Sequence, residues 1–215
     1  MKRVLLSLTL LVVFGLSAMS QAVVYSDNFD SYTAGDQLAA QNNVNWTTWS
    51  NAPGSAEDPY ISTDQSISAP NSVVIEGTND CVLLLGDKTQ GKYNLKFNMF
   101  VPTGYLGYFN VLHLFAGASS EWGLQVYFDQ GGLGLVDGGG AGAGAFTFSY
   151  DQWINLKVFV DLDEDWCDFY VNNNLVIGYQ WSLGTFGTPG LNQLGAANFY
   201  AWSDALPPKY YIENV

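Results

Sequence analysis

Basic residues are scarce in this chain of 215 residues: seven Lys and Arg stand against twenty Asp and Glu, and two of the seven, Lys2 and Arg3, open it. A surface of that sign repels phosphate backbones and anionic lipid, so nucleic acid is not expected as a partner, whereas neutral glycans or cations fit better. Histidine is nearly absent. The single His113 excludes a metal site built from several histidines and any Ser-His-Asp arrangement with a second histidine in support. With two cysteines, Cys81 and Cys167, a disulfide-dense scaffold is ruled out; the pair forms either one bridge or two buried thiols. Long apolar runs are limited to Val4 to Leu16, shorter than the roughly 20 residues that span a bilayer. No segment carries apolar residues at helical spacing over three turns, and no repeat or linker divides the chain.

The start of the chain reads as an export signal. Lys2 and Arg3 precede the apolar run, and the small-residue stretch Ser17 to Ala22 follows it. Cleavage is expected between Ser20 and Val23, giving a signal peptide over 1–22 and one secreted, extracellular or cell-surface domain over 23–215 without membrane insertion. No cysteine lies near that point to carry a lipid anchor.

The remainder is rich in aromatic and β-branched runs broken by Gly, Asn, Asp and Pro, the pattern of an all-β domain. Expected strands are 25–29, 72–76, 81–85, 93–101, 108–115, 122–128, 146–150, 153–161, 166–172, 195–202 and 210–215. About eleven strands call for two packed sheets, a two-sheet antiparallel β-sandwich. Alternation points Tyr93, Leu95, Phe97, Met99 and Val101 to one face, and likewise Ile154, Leu156, Val158 and Val160. It sends Trp122, Leu124, Val126 and Phe128 inward and Gln125 and Tyr127 outward. The glycine-rich stretch 131–145 offers too little side-chain area to order itself and reads as a mobile loop. It lacks the flanking helix and lysine of a phosphate cradle.

Several segments carry a resemblance: DNFDSYTAGDQL (27–38), LLLGDKTQGKYNLKFNMFVPTGYLGYFNVLHLF (83–115), WINLKVFVDLDEDWCDFYVNNNLV (153–176), YQWSLGTFG (179–187), LGAANFYAW (194–202) and YYIENV (210–215). On these the chain resembles exported Bacteroidetes modules of the concanavalin A-like lectin/glucanase superfamily, often joined to a type IX secretion sorting domain. The resemblance implies a jelly roll and leaves the task open, because lectins, adhesion modules and glycoside-cleaving enzymes share the scaffold. It also implies a terminal strand at YYIENV, so the chain either stops naturally at Val215 or is truncated there.

A glycosidase of that superfamily is expected to carry alternating carboxylates on one strand, and no E-x-D-x-x-E segment is present. Glu121 and Asp129 would sit roughly 26 Å apart along an extended strand, too far to flank one glycosidic bond. His113, in VLHLF, reads as a satisfied core or groove residue, though a lone histidine can serve as a base. Asp27 and Asp30 with Glu213 form a candidate structural calcium site tying the first and last strands. Asp161, Asp163 and Asp165 imitate the start of a calcium loop but lack its Gly and Glu, and fit an Asp-rich turn as well. Flat aromatics stack on pyranose faces and amides take hydroxyl hydrogen bonds, which makes Asn98, Gln125, Tyr127, Trp153, Asn155, Trp181 and Trp202 the candidate glycan-binding residues. These features favour a secreted, non-catalytic, lectin-like module that binds an extracellular polysaccharide or glycoconjugate. The alternatives are a glycoside hydrolase or polysaccharide lyase of the same fold, and an adhesion or surface-structural protein. Oligomeric state is not readable from the sequence.

Overall fold

The computed structural model describes residues 22–215; the apolar run and small-residue stretch of the expected signal peptide, up to residue 21, lie outside them. No helix among the described residues is long and apolar enough to cross a membrane. The one α-helix among the described residues, α1 (Leu38–Gln41), is a single turn, and the other long elements there are strands.

Fourteen strands form two sheets of seven, and every pairing within them is antiparallel. The front sheet holds β1 (Trp46–Thr48), β4 (Asp80–Lys88), β6 (Gly107–Leu114), β7 (Glu121–Asp129), β8 (Leu133–Asp137), β9 (Gly144–Thr147) and β13 (Leu194–Tyr200). Its order is β1-β4-β13-β6-β7-β8-β9. The back sheet holds β2 (Tyr60–Ser62), β3 (Ser72–Glu76), β5 (Lys92–Phe100), β10 (Trp153–Asp161), β11 (Trp166–Val171), β12 (Asn174–Gln180) and β14 (Lys209–Glu213), ordered β12-β11-β10-β5-β14-β3-β2. This is the expected two-sheet sandwich. Period-2 alternation builds it: Leu95, Phe97 and Met99 from β5 and Ile154, Leu156, Val158 and Val160 from β10 all enter the core between the sheets.

At the centre Phe97 reaches from the back sheet between Phe109 and Phe199 of the front sheet. Its ring meets theirs edge-on, with centroids 4.9 and 5.2 Å away, the arrangement that aromatic quadrupoles favour. Packing of this kind fixes which faces of β6 and β13 turn inward, and therefore which side chains of those strands are left on the outer face.

Two sequence expectations are corrected, and the alternative left open for the cysteines is resolved. The stretch 131–145 is no featureless loop: it contains β8 and the start of β9. Its glycines are used for close approach, since a Cβ on Gly134 would lie 2.2 Å from the Phe146 ring and one on Gly138 would lie 2.7 Å from Tyr179. Residues 25–29 are not a strand, although Asp27 and Val215 exchange both backbone hydrogen bonds and so tie the two segments together. Cys81 and Cys167 are free and buried. Because β9 packs against β12, the sheets meet edge to edge there, which leaves β4 and β11 near opposite ends of the sandwich. Burial pushes both thiols up and keeps them unreactive.

Candidate functional site

The outer face of the front sheet carries a cleft of about 370 Å³ lined by Trp49, Asp80, Tyr108, Asn110, Trp122, Gln125, Tyr127, Phe186, Asn198, Tyr200 and Trp202. Strand register assembles its floor. Asn198 of β13 lies opposite Asn110 of β6, Asn110 opposite Gln125 of β7, and Gln125 opposite Asp137 of β8. Two residues along each strand on the same face, Tyr200 stands opposite Asp80, and Tyr108 opposite Tyr127. An amide row and a phenol row thus run side by side across adjacent strands.

The rows are cross-linked by hydrogen bonds. Asn198 Nδ2 donates to Asp80 Oδ1 at 2.6 Å, and Asn110 Nδ2 donates to Asn198 Oδ1 at 2.7 Å and to the Tyr108 hydroxyl at 3.2 Å. The hydroxyls of Tyr108 and Tyr127 both donate to Gln125 Oε1, at 2.6 and 3.3 Å. Asn110 Oδ1 keeps no protein partner although it is buried. A buried acceptor of that kind is costly unless a hydroxyl or water from the cleft supplies the proton.

Protonation follows burial. Desolvation raises the Asp80 carboxyl to about 6 against the opposing Asn198 hydrogen bond, with the charge of Glu57 adding to the rise. Burial pushes the Tyr127 phenol up to about 12, helped by Asp137, and drives Tyr108 higher still. Both phenols therefore act as donors at neutral pH, not as bases. Glu57 goes the other way: burial would raise it, but the Ser50 hydroxyl and N–H, at 2.6 and 2.8 Å, hold it below the ordinary carboxylate range. The Glu57 carbonyl accepts the Asp80 N–H at 2.8 Å, and the Asp80 carbonyl accepts the N–H of Trp49. Glu57 and Asp80 are thus joined through their backbones, the charge of Glu57 acts on Asp80, and their surroundings push the two pKa values apart.

Beside the polar rows the floor turns apolar at Val82, Leu112 and Ala196, with Trp49, Phe115 and Trp122 packed on them. Trp49 and Trp122 lie nearly parallel, centroids 6.0 Å apart. At the other end Trp202 packs edge-on against Tyr127 at 5.0 Å. Phe186, 68% exposed, hangs over the rim. Among the described residues no lysine, arginine or histidine lines the cleft.

Of the expected glycan-binding residues, the fold brings Gln125, Tyr127 and Trp202 together in this cleft. Asn98, Trp153 and Asn155 lie on the outer face of the back sheet, where the Asn155 amide donates to Asn98 and Trp153 packs on Phe100. Trp181 is fully buried, with its Nε1 donating to the Gln193 carbonyl at 2.9 Å. Trp122 was expected in the core and instead lines the cleft. A register shift on β7 leaves Gly123 without a partner and reverses the parity of the residue before it. Gly123 is required there, because its Cβ would lie 2.1 Å from the Trp181 ring. Gly123→Ala is accordingly expected to destabilise by about 3 kcal/mol through overpacking, measured as a lower midpoint in urea unfolding at unchanged slope.

The expected calcium residues do not converge. Both oxygens of buried Glu213 are taken by the Ile67 and Ser68 N–H groups and the Ser68 hydroxyl. Asp27 accepts from Tyr25, Tyr32 and the Phe29 N–H, while Asp30 accepts from Asn28 and the Asn71 N–H. Among the described residues no three His, Cys, Asp or Glu side chains form a metal-holding group. Asp161, Asp163 and Asp165 cap a turn, pairing with Lys92, the Gly91 N–H and Ser182 respectively.

No protein-family pattern matches the chain, and no curated protein does. Solved structures do. An alginate lyase, Aly36B, superposes with a TM-score of 0.55 at 12% identity, covering 88% of this chain and 93% of that one. The catalytic domain of a GH131 β-glucanase from Podospora anserina gives 0.50 at 14% identity, covering 86% and 91%. A sialidase gives 0.53 at 8% identity, and 83% of this chain matches only 18% of its length. At such identities the likeness is one of fold, a β-sandwich jelly roll consistent with a concanavalin A-like module. It corrects the expectation of a lectin-like module without catalysis: these neighbours are described as a lyase, a glucanase catalytic domain and a sialidase.

Proposed function

We propose that this chain is a glycan-cleaving enzyme, a glycoside hydrolase acting on a neutral polysaccharide that lies across the front-sheet cleft. The observation that carries this reading is Asp80 in the wall of an aromatic cleft, a carboxyl that burial raises to about 6 and that feels the charge of Glu57, whose own pKa Ser50 holds low. Hydrolysis of a glycosidic bond by two carboxyls needs one held protonated and one held charged. Asp80 donates its proton to the departing glycosidic oxygen while a water molecule forms the new bond to the anomeric carbon and gives its proton to Glu57, the anionic partner. Asn110, Gln125 and Asn198 position sugar hydroxyls, and Trp49, Trp122 and Trp202 stack on pyranose faces.

The alternative chemistry, β-elimination on a uronate chain, suits this cleft less well. It requires the substrate carboxylate to be neutralised, and the cleft offers no cation, only Asp80 in its wall and Asp137 at the end of its amide row. Raised phenols also make poor bases. The reading further takes the protein to act outside the cytoplasm, carried there by the segment 1–22, like the exported Bacteroidetes modules it resembles, which are often joined to a type IX secretion sorting domain.

The experiment compares the two outer faces. Trp122→Ala and Trp202→Ala are each expected to lower kcat/KM on a soluble β-glucan by roughly 5- to 30-fold, the loss of one stacking platform. Trp153→Ala, on the back sheet, is expected to leave it unchanged. Equal losses from all three, or loss from Trp153→Ala alone, would move the site off the front sheet.

A further inference from the structure

Beside the cleft, and sharing Trp122 and Phe186 with it, is a second opening of about 290 Å³ under the loop 183–190, lined also by His113, Ser120, Glu121 and Thr188. His113 is only 2% exposed. Its Nε2 lies 3.0 Å from the Trp181 carbonyl, which can only accept, so Nε2 carries the proton and Nδ1 presents a lone pair. Nδ1 has no hydrogen-bond partner among the described residues. Glu121 Oε2 lies 3.9 Å from it, itself an acceptor and held in place by the Leu191 N–H at 3.0 Å. Burial keeps the imidazole below its ordinary pKa, so it stays neutral near pH 7 in spite of the Trp181 carbonyl and Glu121.

Two acceptors are thus held facing each other across a gap too wide for a direct hydrogen bond, with no donor between them. Two neighbouring hydroxyls on one sugar ring supply what is missing, one O–H to each acceptor. A carboxylate or phosphate would bring acceptors to acceptors. We propose that this opening is a sugar subsite that binds the vicinal diol of a neutral pyranose between His113 Nδ1 and Glu121, continuing the cleft beyond Trp122. The proposal rests on the reading that a neutral glycan runs along the front sheet, and it makes the substrate a chain long enough to pass under Phe186.

The single histidine makes the test clean. In tag-free, nitrogen-labelled protein the Nδ1 resonance of His113 is the only one of its kind. Titration with methyl glucoside, mannoside or galactoside is expected to move that resonance saturably for at least one of them. The 3-deoxy counterpart, which lacks the ring diol, is expected not to. In Glu121→Gln the charged acceptor is replaced by an amide, and sugar affinity is expected to fall roughly tenfold or more. If none of the glycosides moves Nδ1, or if the 3-deoxy sugars move it equally, the subsite is refuted, even where Asp80-dependent cleavage is observed. If Nδ1 responds as expected while no neutral glycan is cleaved, the subsite stands and the hydrolase reading falls.

Discussion

Asp80→Asn is expected to cut the release of reducing ends from a neutral β-glucan by about 100-fold or more, since a positioned general acid contributes roughly 10²–10⁴ in rate. The same substitution is expected to stabilise the folded protein at pH 7. The sign follows from the direction of the shift. A carboxyl whose folded pKa is raised from 3.8 to about 6 contributes stability that is fully present below 3.8 and lost as pH rises through about 6. At neutral pH the ionised Asp80 is therefore a destabilising group, and the amide removes that charge while its oxygen still accepts from Asn198. Allowing for its partial exposure, the gain is about 1–2 kcal/mol, seen as a higher Tm at pH 7 that vanishes near pH 4. Wild-type activity should fall on the alkaline side with a midpoint near 6. A variant that loses activity and gains stability marks a residue kept for chemistry. Loss of both would mark Asp80 as an ordinary structural ligand of Asn198.

Phe97→Ala is expected to be the most destabilising single truncation described here, at about 3–5 kcal/mol in chemical unfolding. Phe97 is fully buried, and its ring reaches from the back sheet to pack edge-on against both Phe109 and Phe199 of the front sheet. Those two residues alternate with Tyr108 and Asn110 on β6 and with Asn198 and Tyr200 on β13. Loosening them loosens the cleft floor, so residual folded protein should bind glycan less tightly as well. A truncation cost under about 1 kcal/mol would mean that the sheets are held together elsewhere.

The sandwich was legible because period-2 alternation is strong along β5 and β10, where every second side chain is apolar. The three-residue strands β1 and β2 are too short to show a period, and β8 and β12, although largely apolar, are interrupted or flanked by glycine and asparagine that read as loop. The site was harder to see. Alternation correctly turned Gln125 and Tyr127 outward, yet parity alone does not say on which of two outer faces a residue emerges. Asn98, Trp153 and Asn155 share the outward parity of Gln125 and Tyr127 but belong to the other sheet. Asn110 and Asn198 sit in apolar runs, VLHLF's strand and GAANFY, and only their pairing across β6 and β13 shows them to be one row. Trp122 was hidden by the irregularity at Gly123, which no periodicity reveals. Nothing in the sequence around Asp80 marks it; its raised pKa is a product of burial in the folded sheet. The carboxylate motif sought on a single strand could not have found it, because Glu57 lies on a loop and Asp80 at the start of β4.

The most direct test is to incubate residues 23–215 at pH 5 with soluble β-glucan, xylan and chitin fragments and, separately, with alginate, recording new reducing ends and ultraviolet absorption of unsaturated products. New reducing ends from a neutral glycan, without unsaturated product and lost in Asp80→Asn, are the predicted result. Unsaturated ends from alginate, or no cleavage of any neutral chain, would contradict the assignment of this cleft to hydrolysis.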